Sequence, residues 1–259
     1  MNSTFNFNVR SVLNAGRILL ATLALAMGLV HAGVVATSSP TLKLVQGWNL
    51  LGNSMEAPLT VASSFNNANQ VTTVWKWVIT GSAAGISYPA WAFYSPLQAD
   101  GGQVYAASKG YEFLTTIQAG EGFWVNAKSP FATQLPAGSA VQPVSFKPAT
   151  TSAAGGAHAL PHGWSLIAMG NSPTPVQLDE ALATAASPQP VVGQIYDNLT
   201  TLWAWDAGQL MWYFWSPSLV NKGTLTTYLT SKGYLDFATL PGTPNGTISS
   251  TAGVWVNLP

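Results

Sequence analysis

The 259-residue chain contains no cysteine, and only 7% of its residues are charged, against about 25% in an ordinary soluble domain. Without cysteine there is no disulfide framework, no thiolate metal site, no cysteine nucleophile and no lipid-modified cysteine anchor. Nine basic and nine acidic side chains, no charged block and a pI near 6.8 leave nothing to neutralise a phosphate backbone, so nucleic acid is not an expected partner. Histidine is scarce: beyond His31 there are only His158 and His162. Pro161 lies between those two and no glutamate accompanies them, so a helical zinc site is not supported and a solvated linker pair is expected. No dense cluster of Asp or Glu offers calcium its six to eight oxygens. Gly163-Trp164-Ser165-Leu166-Ile167 lacks the last glycine of a hydrolase nucleophile elbow. Neither Gly101-Gly102 nor Gly155-Gly156 leads into Lys-Ser or Lys-Thr, as a phosphate loop requires. No metal and no cofactor is expected.

Long apolar runs are also few. Residues 1–17 carry Arg10 and Arg17 and no acid, residues 18–30 are almost wholly apolar, and Val30-His31-Ala32 ends in small residues. This is the pattern of a signal peptide cleaved after Ala32. A run of about 13 residues is shorter than the roughly 20 needed to span a bilayer, so an uncleaved anchor is the lesser alternative. Cleavage leaves 227 residues with a net charge of −2 and no later run long enough to span. The expected location is therefore periplasmic, extracellular or cell-surface associated.

Aromatics are abundant, with 11 Trp, 8 Tyr and 10 Phe, and they recur in order. Gly47-Trp48-Asn49-Leu50-Leu51-Gly52 returns as Gly163-Trp164-Ser165-Leu166-Ile167-Ala168. Val74-Trp75-Lys76-Trp77 returns as Leu202-Trp203-Ala204-Trp205, and Trp91-Ala92-Phe93-Tyr94-Ser95-Pro96 as Trp212-Tyr213-Phe214-Trp215-Ser216-Pro217. Ser108-Lys109-Gly110-Tyr111 matches Ser231-Lys232-Gly233-Tyr234, and Gly122-Phe123-Trp124-Val125-Asn126 matches Gly253-Val254-Trp255-Val256-Asn257. Five blocks in unchanged order imply a duplicated module longer than most solenoid repeats.

The expected fold is a β-rich α+β class. It consists of two tandem homologous modules of short antiparallel strands and hairpins, with one or two short helices each. The boundaries are a signal peptide at 1–32, a first module at 37–150, a linker at 151–157 and a second module at 158–259. Strands are expected at 48–51, 112–117 and 123–127 with their counterparts, and residues 141–147 offer a closing strand for the first module. Asp206-Ala207-Gly208-Gln209 predicts a short hairpin turn, and residues 81–85 a longer, more mobile one. Thr174-Pro175-Val176-Gln177 predicts a capped helix, and Lys-Gly at 109–110 and 232–233 predicts two helix ends, with the lysines complementing the helix dipole.

Ten tryptophans form matched pairs, Trp48, Trp75, Trp77, Trp91 and Trp124 with Trp164, Trp203, Trp205, Trp212 and Trp255. They are expected to be structural and mostly buried, because a large ring two apart on a strand is more often core. Unmatched aromatics are freer to serve a ligand, which nominates Trp215, Tyr213, Tyr94 and Tyr88 for binding. Flat indole faces flanked by Asn and Gln suit a neutral sugar. Glu112 and Glu121 are the weak alternative as a glycosidase pair, although Ala252 replaces Glu121 in the second copy.

Taken together, the five blocks resemble modules found, often in tandem, in exported and cell-surface proteins of bacteria. The likeness covers almost all of residues 44–259 and implies surface-associated architecture. No activity and no site residue comes with it. A non-enzymatic binding or adhesion protein is expected, with a neutral glycan or another surface component as partner. The alternatives are a hydrolase of polysaccharide or peptidoglycan and a purely structural spacer.

Overall fold

The computed structural model describes residues 39–83, 86–149, 158–183, 195–239 and 246–259. The expected signal peptide and the linker at 151–157 lie outside the described residues. Residues 37–259 form one compact unit. It is strand-rich, with short helices and several largely antiparallel sheets.

Two five-stranded sheets dominate. The first runs in the order Gly47–Gly52, Gly122–Ala127, Val71–Ala83, Ile86–Tyr94 and Glu112–Phe113. The second runs in the order Gly163–Ile167, Val254–Leu258, Thr201–Asp206, Met211–Trp215 and Leu235–Asp236. In each, three antiparallel pairings are followed by one parallel pairing at the edge. The registers correspond: Trp75 lies opposite Trp124 and Trp77 opposite Trp91, while Trp203 lies opposite Trp255 and Trp205 opposite Trp212.

Alternation along the strands decides what is buried, because successive side chains point to opposite faces. Val74, Ala92, Tyr94 and Val125 point into one core with Leu51, Phe65 and Ile117. Leu202, Ala204, Tyr213, Trp215 and Val256 point into a second core with Met169, Leu178 and Leu199. Trp75 and Trp77 stand on the opposite face of their strand, as do Trp203 and Trp205. None of the ten matched tryptophans belongs to either core, which corrects the expectation that they are core residues.

The helices follow local rules. Gln103–Lys109 and Leu225–Lys232 both end at a left-handed glycine, Gly110 and Gly233, with Lys109 and Lys232 in the last turn as the dipole favours. Pro175–Ala181 begins with a complete capping box: Thr174 accepts from Gln177 N–H and the Gln177 side chain accepts from Thr174 N–H.

Three local expectations are overturned. The first hairpin is an extended arm, because strand pairing continues to Ala83 and Ile86 after a register shift between Thr80 and Ser82. Residues 141–147 do not close the first sheet. Pro143–Ser145 is a 3-10 turn, and Val141 and Phe146 pack into the second core. Residues 112–117 divide into Glu112–Phe113, paired to Ile86–Tyr94, and Thr116–Ile117, paired to Leu59–Thr60.

Candidate functional site

The two sheets meet through reciprocal contacts. Leu51 bridges Ala252, and Glu121 bridges Ile167. Gly52 N–H donates to Thr251 O at 3.0 Å, and Ala168 N–H donates to Gly120 O at 2.8 Å. The approach is close enough that a Cβ on Gly253 would stand 2.3 Å from the Leu51 carbonyl oxygen. Trp77 Nε1 donates to Trp164 O at 3.2 Å, and its counterpart Trp205 Nε1 donates to Trp48 O at 2.9 Å. Ring contacts obey the same exchange. Trp255 meets Trp77 and Trp91 at 5.6 and 6.1 Å, and Trp124 meets Trp205 and Trp212 at 6.2 and 5.8 Å.

This arrangement leaves two grooves. One, of about 360 Å³, is lined by Trp77, Trp164, Trp203, Trp212 and Trp255. The other, of about 460 Å³, is lined by Trp48, Trp75, Trp91, Trp124, Trp205, Trp212 and Tyr111. Exchanging the two halves converts the first set into five members of the second. Both volumes fall in the range of roughly 300–1,000 Å³ typical of small-ligand sites. Trp212 lines both grooves, so they adjoin. Trp48 and Trp164 are the most open rings, 43% and 44% exposed.

Ring contacts divide the lining of each groove into two clusters. In the first, Trp164 and Trp77 both stack edge-on against Trp255, and Trp203 stacks against Trp212. In the second, Trp48, Trp205 and Trp212 meet Trp124 while Trp91 and Tyr111 meet Trp75. Most of these pairs cross at 70–89°, the edge-to-face geometry that the ring quadrupole favours. Indole faces as well as edges therefore border the space. Among the described residues no charged side chain lines either groove, and no Asn or Gln stands beside the rings as expected.

The nominated binding aromatics are elsewhere. Trp215, Tyr213 and Tyr94 are 5%, 3% and 6% exposed and belong to the two cores. They offer no free ring face, and the expected exposure is corrected. The cause is parity: Tyr94 lies three residues after Trp91, and Trp215 three after Trp212, so each points to the opposite side of its strand. The Tyr88 side chain lies outside the described residues. The Tyr213 hydroxyl is 3.3 Å from Asp206 Oδ2. Burial, reinforced by the Asp206 charge, pushes Tyr213 up to about 12. Burial alone would raise Asp206, but donors from Gln209, Gly208 and Tyr213 outweigh it and hold the carboxyl below its ordinary value.

The weak carboxylate pair is separated by function. Glu121 Oε2 is 2.7 Å from Lys76 Nζ and accepts Gln118 N–H at 2.6 Å. Glu112 lines a different, polar groove with Lys76, Thr115, Thr116 and Gln118, while Glu121 borders a small cavity beside His158. His158 is largely enclosed rather than solvated, packing on Phe146 and reaching Glu56 Oε2 at 3.4 Å. His162 Nδ1 contacts the Pro259 carbonyl. Among the described residues no group of three His, Cys, Asp or Glu could hold a metal ion. No helix there is long and apolar enough to cross a membrane.

No protein family matches the chain, no characterised protein matches its sequence, and no solved structure matches its fold. The site rests on its own geometry.

One buried ionisable group stands apart from the grooves. Asp179 is fully buried and accepts backbone N–H bonds from Tyr196, Asn198 and Leu199 at 2.7, 3.0 and 3.2 Å. Burial raises its carboxyl to about 6 against those donors, with the neighbouring Asp197 charge adding to the rise. It anchors residues 196–199 to the helix Pro175–Ala181.

Proposed function

We propose that the chain is an exported, non-enzymatic binding or surface-adhesion protein. It is built from two copies of one module and takes a neutral glycan in its two tryptophan grooves. The observation that carries this reading is the pair of equivalent grooves, each lined among the described residues almost wholly by tryptophan and by no charged side chain. Matching strand orders, registers and reciprocal Trp N–H bonds support the duplication. Indole surface suits the apolar faces of sugar rings, and an uncharged groove suits an uncharged ligand.

Catalysis is not favoured, because Glu121 is engaged by Lys76 and Glu112 borders another cavity. Titration of the full chain with a panel of neutral oligosaccharides, followed by tryptophan emission and calorimetry, tests the reading. Saturable binding with a shifted emission is the expected result. An emission that no sugar alters, together with no heat of binding, refutes it and leaves a structural spacer.

A further inference from the structure

From the composition of the groove walls we infer which sugars these sites accept: β-1,4-linked chains of pyranoses whose ring substituents are all equatorial, as in the glucose configuration. The inference rests on the glycan-binding reading above and specifies its ligand class.

The walls supply ring carbon and almost nothing else. Among the described residues groove one is lined by tryptophan alone, and groove two by tryptophan and Tyr111. Two potential donors are already spent, since Trp77 Nε1 and Trp205 Nε1 hold the Trp164 and Trp48 carbonyls. A sugar hydroxyl pressed against an indole face loses its water and gains no hydrogen-bond partner, which penalises binding. A hydroxyl kept along the open side of the groove stays hydrated and loses nothing.

Successive residues of an extended β-1,4 chain turn over, so both ring faces meet the indole surface in alternation, and an all-equatorial ring avoids that penalty on either face. An all-equatorial β-pyranose carries axial C–H groups on each face and places its hydroxyls around the rim. Such a ring can lie on the indole surface with its axial C–H groups against the rings and its hydroxyls outward at the rim. Among the described residues no ring contact joins Trp203 or Trp212 to Trp77, Trp164 or Trp255, and none joins Trp75 or Trp91 to Trp48, Trp124 or Trp205. The lining of each groove is therefore two ring clusters side by side on an open indole surface, with Trp203 opposite Trp255 and Trp75 opposite Trp124 in neighbouring strands. An axial hydroxyl, such as O2 of mannose, would point at the indole surface at every second residue.

Adjacency adds a second feature. Because Trp212 borders both grooves, one extended chain can run across the two. The grooves are related by exchange of the halves, so a directional chain meets them in opposite senses. Stacking tolerates this, whereas a fixed set of hydrogen bonds would not.

The test compares cellohexaose, chitohexaose and β-1,4-mannohexaose by calorimetry and tryptophan emission on the full chain. Cellohexaose and mannohexaose differ only in the orientation of O2. Cellohexaose or chitohexaose should bind at least about tenfold more tightly than mannohexaose, the discrimination expected when a ligand group is stripped of water without a partner. The better of the first two identifies a glucan or an N-acetylglucosamine chain as the source. Trp48→Ala with Trp164→Ala should weaken that binding at least about tenfold, because these exposed rings line different grooves while their hydrogen bonds use only backbone carbonyls. If that double variant does not fold, Trp48→Phe with Trp164→Phe should still weaken binding. Equal affinity for mannohexaose overturns the inference while leaving glycan binding intact, and so does full affinity in the variants. Absence of binding to every sugar overturns the glycan-binding reading itself.

Discussion

Removing Glu121 from the Lys76–Glu121 pair should be costly, and removing both partners should not. Lys76 is 7% exposed, and its ammonium has Glu121 Oε2 at 2.7 Å and the Thr116 carbonyl at 3.3 Å. Glu121→Ala strands a largely buried ammonium and also deprives Gln118 N–H of its acceptor. Breaking a buried pair costs about 3–5 kcal/mol. The Glu121 side chain is 32% exposed, so solvent screening places the expected loss near the lower end, about 3 kcal/mol. Lys76→Met retains the stem and removes the charge, and should cost about 1 kcal/mol. The double variant should then lie within about 1–2 kcal/mol of the parent, because no charge is left unpaired.

The second sheet supplies an internal precedent, since alanine occupies both corresponding positions, Ala204 and Ala252. There the long polar-tipped side chain comes from the neighbouring strand. Tyr213 faces Ala204 as Ala92 faces Lys76, and it bonds to Asp206 instead. Urea unfolding at neutral pH of the parent, both single variants and the double variant gives the coupling directly. A Glu121→Ala loss below about 1 kcal/mol, or a double variant as unstable as the sum of the singles, would refute the reasoning.

Three further outcomes are expected. Asp179 has a folded value of about 6, above its ordinary 3.8. Its contribution is therefore fully present below about pH 4 and is lost as pH rises through about 6. Thermal midpoints should fall between about pH 4 and 6, and Asp179→Asn should flatten that slope while costing about 1–2 kcal/mol at pH 5 for the N–H bond its amide does not accept. A slope unchanged in the variant would show that another group titrates. Gly253→Ala should destabilise by about 1–3 kcal/mol or more, since its Cβ would lie 2.3 Å from the Leu51 carbonyl; a neutral effect on the denaturation midpoint would contradict the close approach. Trp77→Phe and Trp205→Phe each remove one reciprocal N–H bond, and each should lower stability by about 0.5–1.5 kcal/mol. Widely unequal losses in matched denaturation curves would argue against equivalent contacts.

Much of the local architecture was legible because its causes are local. The Thr174 capping box, the Lys-Gly helix ends at 109–110 and 232–233, and the turn at Asp206 each depend on a few neighbouring residues, and all three form. The same-face placement of Trp75 with Trp77 follows from strand period alone. Difference between the copies does not mark exposure: Trp215, Tyr213 and Tyr94 differ from or lack matched tryptophans yet are buried. Parity was the better guide: counting alternate residues from Trp91 and Trp212 assigns Tyr94 and Trp215 to the opposite face from the matched rings.

The amino-acid order alone thus determined the strand-rich composition, the recurrence of five aromatic blocks and which side chains share a strand face. Which face became core was a tertiary outcome, decided by where Phe65, Ile117, Met169 and Leu178 were brought to cover each sheet. The grooves were also a tertiary outcome. They exist because strands far apart in the chain approach closely at Gly253 and Gly52, placing Trp77 beside Trp255 and Trp205 beside Trp124. Alternation is written in consecutive residues, whereas the meeting of two sheets depends on the packing of surfaces that no short stretch of chain contains.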